Sequence, residues 1–282
     1  MISTSRYSGE IEALKDALAT ADVLLVGAGA GLSFAAGMAY SRERFYRTFA
    51  DFHQKYGIDD MYSGGFYPFA SPEESWAWWS RAIWVNRYEP GALPLYQHLC
   101  ELMRTMDSFV ITTNVDHQFQ LAGCDKDRLY YMQGDYGLLQ CSVPCHQKTY
   151  DARPVVEEMV HEQRNMRVPS ELIPHCPVCG KPMTMNLRVN DRFVQDTGWY
   201  VARKRYEAFL DRTRGSKIVL LELGVGFNTP GIIKYPFWRY AAENKNARYV
   251  SINKGEMYVP AEIKERSVCI DGDLADVLPL IC

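Results

Sequence analysis

Four cysteines in two close pairs are the most explicit chemical feature of this chain: Cys141-x3-Cys145 and Cys176-x2-Cys179, the second reading CPVCG. Thiolates at such spacing converge on a tetrahedral Zn²⁺, and four of them leave no open position, so the metal they imply is structural. The glycine after Cys179 permits the turn that aims them. The x3 spacing is the less usual one, and His146 or His175 is near enough in sequence to replace a ligand; two unrelated pairs of free thiols is the plainer alternative. Cys100, Cys124, Cys269 and Cys282 read as buried or incidental.

Gly27-Ala-Gly29-Ala-Gly31-Leu-Ser33 directly follows a short apolar run. Glycines at the end of a strand let the backbone approach a pyrophosphate, and N–H groups of a following helix complement its charge. The sixth position of the dinucleotide fingerprint is Leu32 rather than glycine, and no acidic residue stands in a clear second-strand position about twenty residues on. By itself the run reads equally well as a tight structural turn. A third feature is Thr112-Thr-Asn114-Val-Asp116, which sets an amide that donates and accepts beside a carboxylate that accepts. Both residue types also cap helices, and a helix opening at 116 would account for them.

The elements that must position these residues follow from periodicity. Residues 9–19, 43–56 and 73–87 and a segment opened by Pro94 have helical spacing. Short apolar runs after Asp22 and at 109–113, 129–132, 218–223, 249–252 and 268–270 read as buried strands. The alternation predicts an α/β fold, a doubly wound, Rossmann-like parallel sheet with helices on both faces. Two stretches break the rhythm: 40–93, helical and aromatic, and 134–199, which holds the cysteine pairs. They read as insertions forming a smaller zinc-binding and helical lobe over the C-terminal edge of the sheet. The expected organisation is a single domain, 1–282, with its core in 8–39, 94–133 and 200–282. The aromatic segment 76–88 either packs that lobe or lines a channel for an acyl chain; packing is the commoner fate.

Composition bounds the function. The chain has 282 residues, 47% hydrophobic and 23% charged, with a net charge of −3. An acidic balance argues against nucleic-acid binding. Glycines and Ser33 interrupt the longest apolar stretch, so no membrane span is expected. The start, MISTSRYSGE, lacks a basic head and apolar core, so no signal peptide is expected and the chain reads as cytoplasmic. Arg203-Lys-Arg205 reads as a solvated helix face or a dock for an acidic partner. His53, His98, His117 and His161 form no constellation, though His117 is notable beside Asp116.

In their order along the chain these features resemble the sirtuin (Sir2-like) family. Gly29-Ala30-Gly31-Leu-Ser33-Phe-Ala-Ala-Gly37 matches its GAGxSxxxG turn, and Thr112-Thr113-Asn114-Val-Asp116…Ala122-Gly123 its T-Q-N-I-D…A-G motif. The cysteine pairs match its zinc module. Gly224-Val-Gly226-Phe-Asn228 stands for its G-T-S-L segment, Ile252-Asn253 for its I-N, and Gly272-Asp273-Leu274 for its C-terminal nucleotide-contacting turn. The match runs from about residue 8 to the end. It departs at Ala39-Tyr40-Ser41, where the family has Pro-Asp-Phe before an arginine that Arg42 would supply, and at Thr113, where it has glutamine. Gln133 replaces the family's catalytic histidine.

The departures resemble the macrodomain-linked class M of microbial sirtuins, which act as protein ADP-ribosyltransferases. The resemblance implies NAD as substrate, structural zinc, and an acceptor protein of the lipoylated glycine-cleavage H type, with a functional link to a macrodomain ADP-ribose hydrolase. It assigns Asn114 to the ribose, Asp116 to the nicotinamide carboxamide and Gln133 to a ribose hydrogen bond. It places the rest of the dinucleotide along Gly29–Gly37, Tyr40, Arg42, Thr113, Gly224, Gly226, Asn228, Asn253, Lys254, Asp273 and Leu274. Deacylation needs a general base, and glutamine has no accessible pKa. Transfer of ADP-ribose needs only the first half of that chemistry. A deacylase and a non-catalytic NAD or ADP-ribose module are the alternatives. On this reading Gly31→Leu would abolish NAD binding with little effect on folding.

Overall fold

The run after Asp22 is apolar at every position because it is covered on both faces: strand β1 (Val23–Ala28) is wholly buried. The computed structural model describes residues 7–38, 41–255 and 257–281, so Tyr40 and Cys282 lie outside the described residues. The remaining strands are β2 (Asp107–Thr112), β3 (Leu129–Tyr131), β4 (Gly134–Cys141), β5 (Tyr150–Asp151), β6 (Met183–Leu187), β7 (Ile218–Leu223), β8 (Arg248–Asn253) and β9 (Ser267–Asp271). Six of them form a parallel sheet in the order β3-β2-β1-β7-β8-β9. The chain leaves β1 in one direction to β2 and β3, then returns to β7 on the other side. Beside β1, at the carboxyl ends of the strands, lies the crevice where open α/β sheets bind ligands.

Helices α1 (Ser8–Thr20), α2 (Ala30–Ser33), α6 (Pro94–Arg104), α7 (Gln118–Leu121), α9 (Thr197–Arg212), α10 (Lys234–Glu243) and α11 (Leu274–Val277) accompany the sheet on its two faces, whereas α3 (Arg42–Tyr56), α4 (Met61–Gly64), α5 (Pro72–Ile83) and α8 (Arg153–Glu162) belong to the inserted lobe. Because strand side chains alternate, Leu24 and Val26 pack with Leu14 of α1 and Leu99 of α6, whereas Val23 and Leu25 pack with Phe209 of α9 and Phe237 of α10. Arg203 and Arg205 of α9 pair at the surface with Glu207 and Asp127, a solvated face.

The two arrhythmic stretches share one core. Phe45, Phe49 and Phe52 of α3 and Trp78 of α5 pack with Leu139 and Cys141 of β4 and with Val156 and Met159 of α8. Trp78 is fully buried, its ring centroid 4.0 Å from that of Phe49. The aromatic segment is therefore mainly core. Helix α5 starts where it does because Pro72 follows Ser71, whose Oγ accepts from Glu74 N at 3.3 Å. The region 134–199 holds more regular structure than its periodicity suggests: an antiparallel sheet, β5-β4-β6, and α8. A register shift between Gly134 and Leu139 breaks the alternation that would announce β4.

Two further expectations are corrected. The helix expected at 116 begins at Gln118, after His117 in a left-handed conformation with φ 66°. Cys100 and Cys124 are not incidental: they form a disulfide. Cys124 N bonds to Phe119 O at the end of α7, which brings its sulfur to α6. Among the described residues no helix is long and apolar enough to cross a membrane.

Candidate active site

A cavity of about 440 Å³ opens at the carboxyl ends of β1, β2 and β8. Of the residues singled out from sequence, Ala30, Gly31, Ser33, Thr113, Asn114, Asp116, Asn253, Lys254, Asp273 and Leu274 line it. Phe34, Met38, Asn86, Val115 and Tyr136 complete much of the wall without having been anticipated. Asn86 alone among residues 76–88 reaches it.

The glycines build its floor. Gly29 N and Gly31 N donate to Leu223 O and Gly224 O, both at 3.0 Å, locking the turn onto the end of β7. A Cβ on Gly31 would stand 2.7 Å from Gly224 Cα, and one on Gly29 would stand 2.6 Å from Gly224 O. Gly224 has φ 61° and would itself meet Leu32 N at 2.5 Å. These glycines are thus required by protein backbone packing, and Gly31→Leu disturbs the fold as well as the cavity. Gly37 has φ 102° in a kinked turn with open space around it.

Four side chains from three segments form one directed hydrogen-bond chain. Asn114 Nδ2 donates to Gly29 O at 3.0 Å and to Tyr96 OH at 3.1 Å. Tyr96 OH lies 2.8 Å from Ser33 Oγ, and Ser33 Oγ donates to Asp116 Oδ2. An ionised carboxylate only accepts and an amide NH₂ only donates, so Tyr96 must donate to Ser33. The polarity runs from Asn114 through Tyr96 and Ser33 to Asp116. Burial pushes the Asp116 carboxyl above the usual carboxylate range, against the bonds from Ser33 and Gln118 N. Burial, with the nearby Asp116 charge, pushes the Tyr96 phenol well up.

Behind Asp116 lies an ionic group that sequence reasoning missed. Asp135 is buried, bonded to His117 Nδ1 and to Arg87 Nε, the latter at 2.8 Å. Burial alone would raise the Asp135 carboxyl, but the His117 bond and the Arg87 charge outweigh it and lower it. The left-handed backbone of His117 is the local signature of this arrangement, visible only in the structure.

The other expected contacts lie elsewhere. Gln133 is half-buried outside the cavity lining, its carbonyl accepting from Arg188 N at 3.0 Å. Gly224 is buried beneath the glycine turn, and Gly226 and Asn228 are exposed on the segment that follows. Arg42 is exposed on the first turn of α3. Asn253 Nδ2 reaches Val225 O at 3.4 Å, and Asp273 caps α11 through Ala275 N at 2.9 Å.

The cysteine quartet converges. The sulfurs of Cys141, Cys145, Cys176 and Cys179 lie within 4.8 Å of one another, with Cys141–Cys179 at 3.5 Å and Cys145–Cys176 at 3.6 Å. A tetrahedral zinc with bonds near 2.3 Å requires sulfurs about 3.8 Å apart, so the donor set fits the metal. Desolvation raises the Cys141 thiol, but the N–H groups of Cys145 and Val143 bring it down to about 7. His146 supports the cluster from outside, with Nδ1 3.0 Å from Cys145 Sγ and Nε2 2.8 Å from Tyr150 OH. His175 bonds Ile173 O instead.

The sheet and its inserted lobe have the fold of solved Sir2 structures. Solved structures of that fold align over nearly the whole chain. A Sir2 homologue–NAD complex gives a TM-score of 0.58 at 18% identity, covering 96% of this chain and 92% of that one. A Sir2 homologue mutant with ADP-ribose gives 0.58 at 16% identity over 96% and 94%. No family model matches the chain. The protein ADP-ribosyltransferase of Staphylococcus aureus (strain Mu50 / ATCC 700699) is 36% identical over 270 residues, 95% of this chain and 86% of its own. The chain belongs to this sirtuin-fold family of protein ADP-ribosyltransferases. A probable bifunctional ADP-ribose hydrolase/ADP-ribosyltransferase of Fusarium oxysporum f. sp. cubense is 32% identical over 97% of this chain, which spans 48% of that longer protein.

Proposed function

We propose that this chain transfers ADP-ribose from NAD to an acceptor protein and releases nicotinamide. The observation that carries the reading is the polarised chain Asn114–Tyr96–Ser33–Asp116 along one cavity, with glutamine at 133 where deacylating relatives carry histidine. NAD supplies an electrophilic ribose C1′ with nicotinamide as leaving group. Asp116 is placed to accept from the carboxamide NH₂ of that leaving group, and its charge sits in a buried setting where electrostatic stabilisation is strongest. Asn114, fixed by two acceptors, orients the ribose and its local water. The C1′–N bond breaks with its electron pair going to nicotinamide, which leaves neutral; the acceptor's nucleophile bonds C1′ and gives up its proton to solvent water. Gln133, which stands outside the cavity lining, supplies no base.

The acceptor class proposed is a lipoylated glycine-cleavage H-like carrier in the cytoplasm, with removal by a macrodomain ADP-ribose hydrolase. The fungal relative's name, which pairs hydrolase and transferase in one chain, supports the hydrolase link. The test incubates the protein with NAD labelled in its ADP-ribose half and carriers with and without lipoyl groups. Nicotinamide release matched by label on carrier is the expected result. Release without labelled protein would make the chain a glycohydrolase. NAD binding without release would make it a module, and loss of acyl groups from an acylated peptide would make it a deacylase.

A further inference from the structure

At the opposite edge of the sheet, a second concavity of about 340 Å³ is lined by Lys217, Lys245, Arg248 and Arg266. These cations mark the amino ends of three adjacent parallel strands: Lys217 precedes β7, Arg248 opens β8 and Arg266 precedes β9. The register pairs Tyr249 with Ser267, which sets Arg248 and Arg266 level on neighbouring strands, and such strands lie about 4.8 Å apart. Among the described residues none of the four forms an ion pair. Arg266 Nη1 donates to two neutral carbonyls, Asn244 O and Ala247 O, both at 3.1 Å, and its Nη2 is enclosed without a partner.

Like charges at this spacing repel, and a chain of net charge −3 has carboxylates to spare for neutralising them. One carboxylate stands near: Asp22 Oδ2 accepts from Lys217 N at 3.2 Å, and it is exposed. The carboxyl end of α1, at Thr20 and Ala21, also lines the concavity. A helix end brings about half a negative charge, so with Asp22 it leaves a clear positive excess.

We propose that this concavity binds a small soluble molecule carrying two adjacent phosphoryl groups. Two linked phosphoryls span neighbouring strands and face cations on each, which a single phosphate does not. The sheet separates this site from the NAD cavity. Arg248 and Asn253 stand at opposite ends of β8, and a strand of that length spans about 17 Å. It is a second site, independent of the function proposed above.

The test is calorimetric titration of the whole chain with inorganic pyrophosphate at low salt; ADP-ribose and NAD are left out because each carries the same linked phosphoryls, and a double variant separates this concavity's share of the heat from that of the NAD cavity. Saturable binding is expected, weakening steeply as salt rises. Lys245→Gln with Arg248→Gln changes two exposed side chains and leaves Arg266 to hold its carbonyls. This variant should keep its melting temperature and NAD affinity while pyrophosphate affinity falls at least about tenfold, the equivalent of roughly 1.4 kcal/mol. Absence of saturable binding to the unmodified chain would overturn the proposal. Unchanged pyrophosphate affinity in the variant would do so as well, and so would inorganic phosphate binding as tightly as pyrophosphate.

Discussion

Tyr96→Phe removes one oxygen from the middle of the hydrogen-bond chain and leaves the ring in place. Tyr96 is fully buried, so water cannot easily replace the hydroxyl. Asn114 Nδ2 keeps Gly29 O but loses its second acceptor, and Ser33 Oγ loses the donor that polarised it toward Asp116. A buried donor left without a partner costs about 1–3 kcal/mol. For a chain of this size that corresponds to a fall in Tm of roughly 2–5 °C. Asn114 and Ser33 then sample other rotamers at the cavity wall, and loss of orientation should lower nicotinamide release by about tenfold or more. Two assays decide it: thermal unfolding, and nicotinamide release at saturating NAD, so that kcat is separated from NAD binding. A Tyr96→Phe protein with unaltered Tm and kcat would refute the directed chain. One with lowered Tm and unaltered kcat would reduce Tyr96 to a packing residue.

Other perturbations test the remaining parts. Cys176→Ser should yield metal-poor, poorly soluble protein, since the binding energy of a four-thiolate site is folding energy; elemental analysis of soluble wild-type protein should find about one zinc per chain. Asp116→Asn should abolish nicotinamide release yet raise stability at neutral pH. The folded carboxyl titrates above its unfolded value near 4, so the ionised form penalises the folded state once pH exceeds that value. The gain in Tm should therefore be present at pH 7, shrink as pH falls toward about 4, and be gone below it. Gln133→Ala should slow transfer, with Asn114→Ala at least as damaging. Gln133→His should add weak deacylation that rises through about pH 6–8; robust deacylation by the unmodified chain would contradict this reading.

The parts of the molecule legible in sequence are those whose causes are local. Buried strands announce themselves because β1 is apolar at every position and β7 at all but Glu222, and the cysteine quartet does so because each pair sits on its own turn. What was hidden depends on partners distant in the chain. Tyr96 reads as one more apolar residue beside Leu95 and Leu99 until Ser33 and Asn114 arrive at its hydroxyl. Arg87 and Asp135 are 48 positions apart, on different modules, and neither alone signals an ion pair. The need for glycine at 31 was visible, but its cause was not: Gly224 presses on it from the end of β7. The disulfide between Cys100 and Cys124 was hidden for the same reason, since only the docking of α7 on α6 brings the two together.

The strand order has a consequence for synthesis. Strand β1 emerges among the first thirty residues, yet its neighbour β7 begins only at Ile218. The lobe core draws on residues between Phe45 and Met183, so all of it leaves the ribosome before the sheet can close. Until then β1 has at most β2 on one side, and its other edge, fully apolar, is an open template for pairing with another chain. An early zinc-loaded lobe does nothing to cover that edge. Slow translation just before residue 218 should increase aggregation, and a chaperone that shields extended apolar segments should be needed most at that stage.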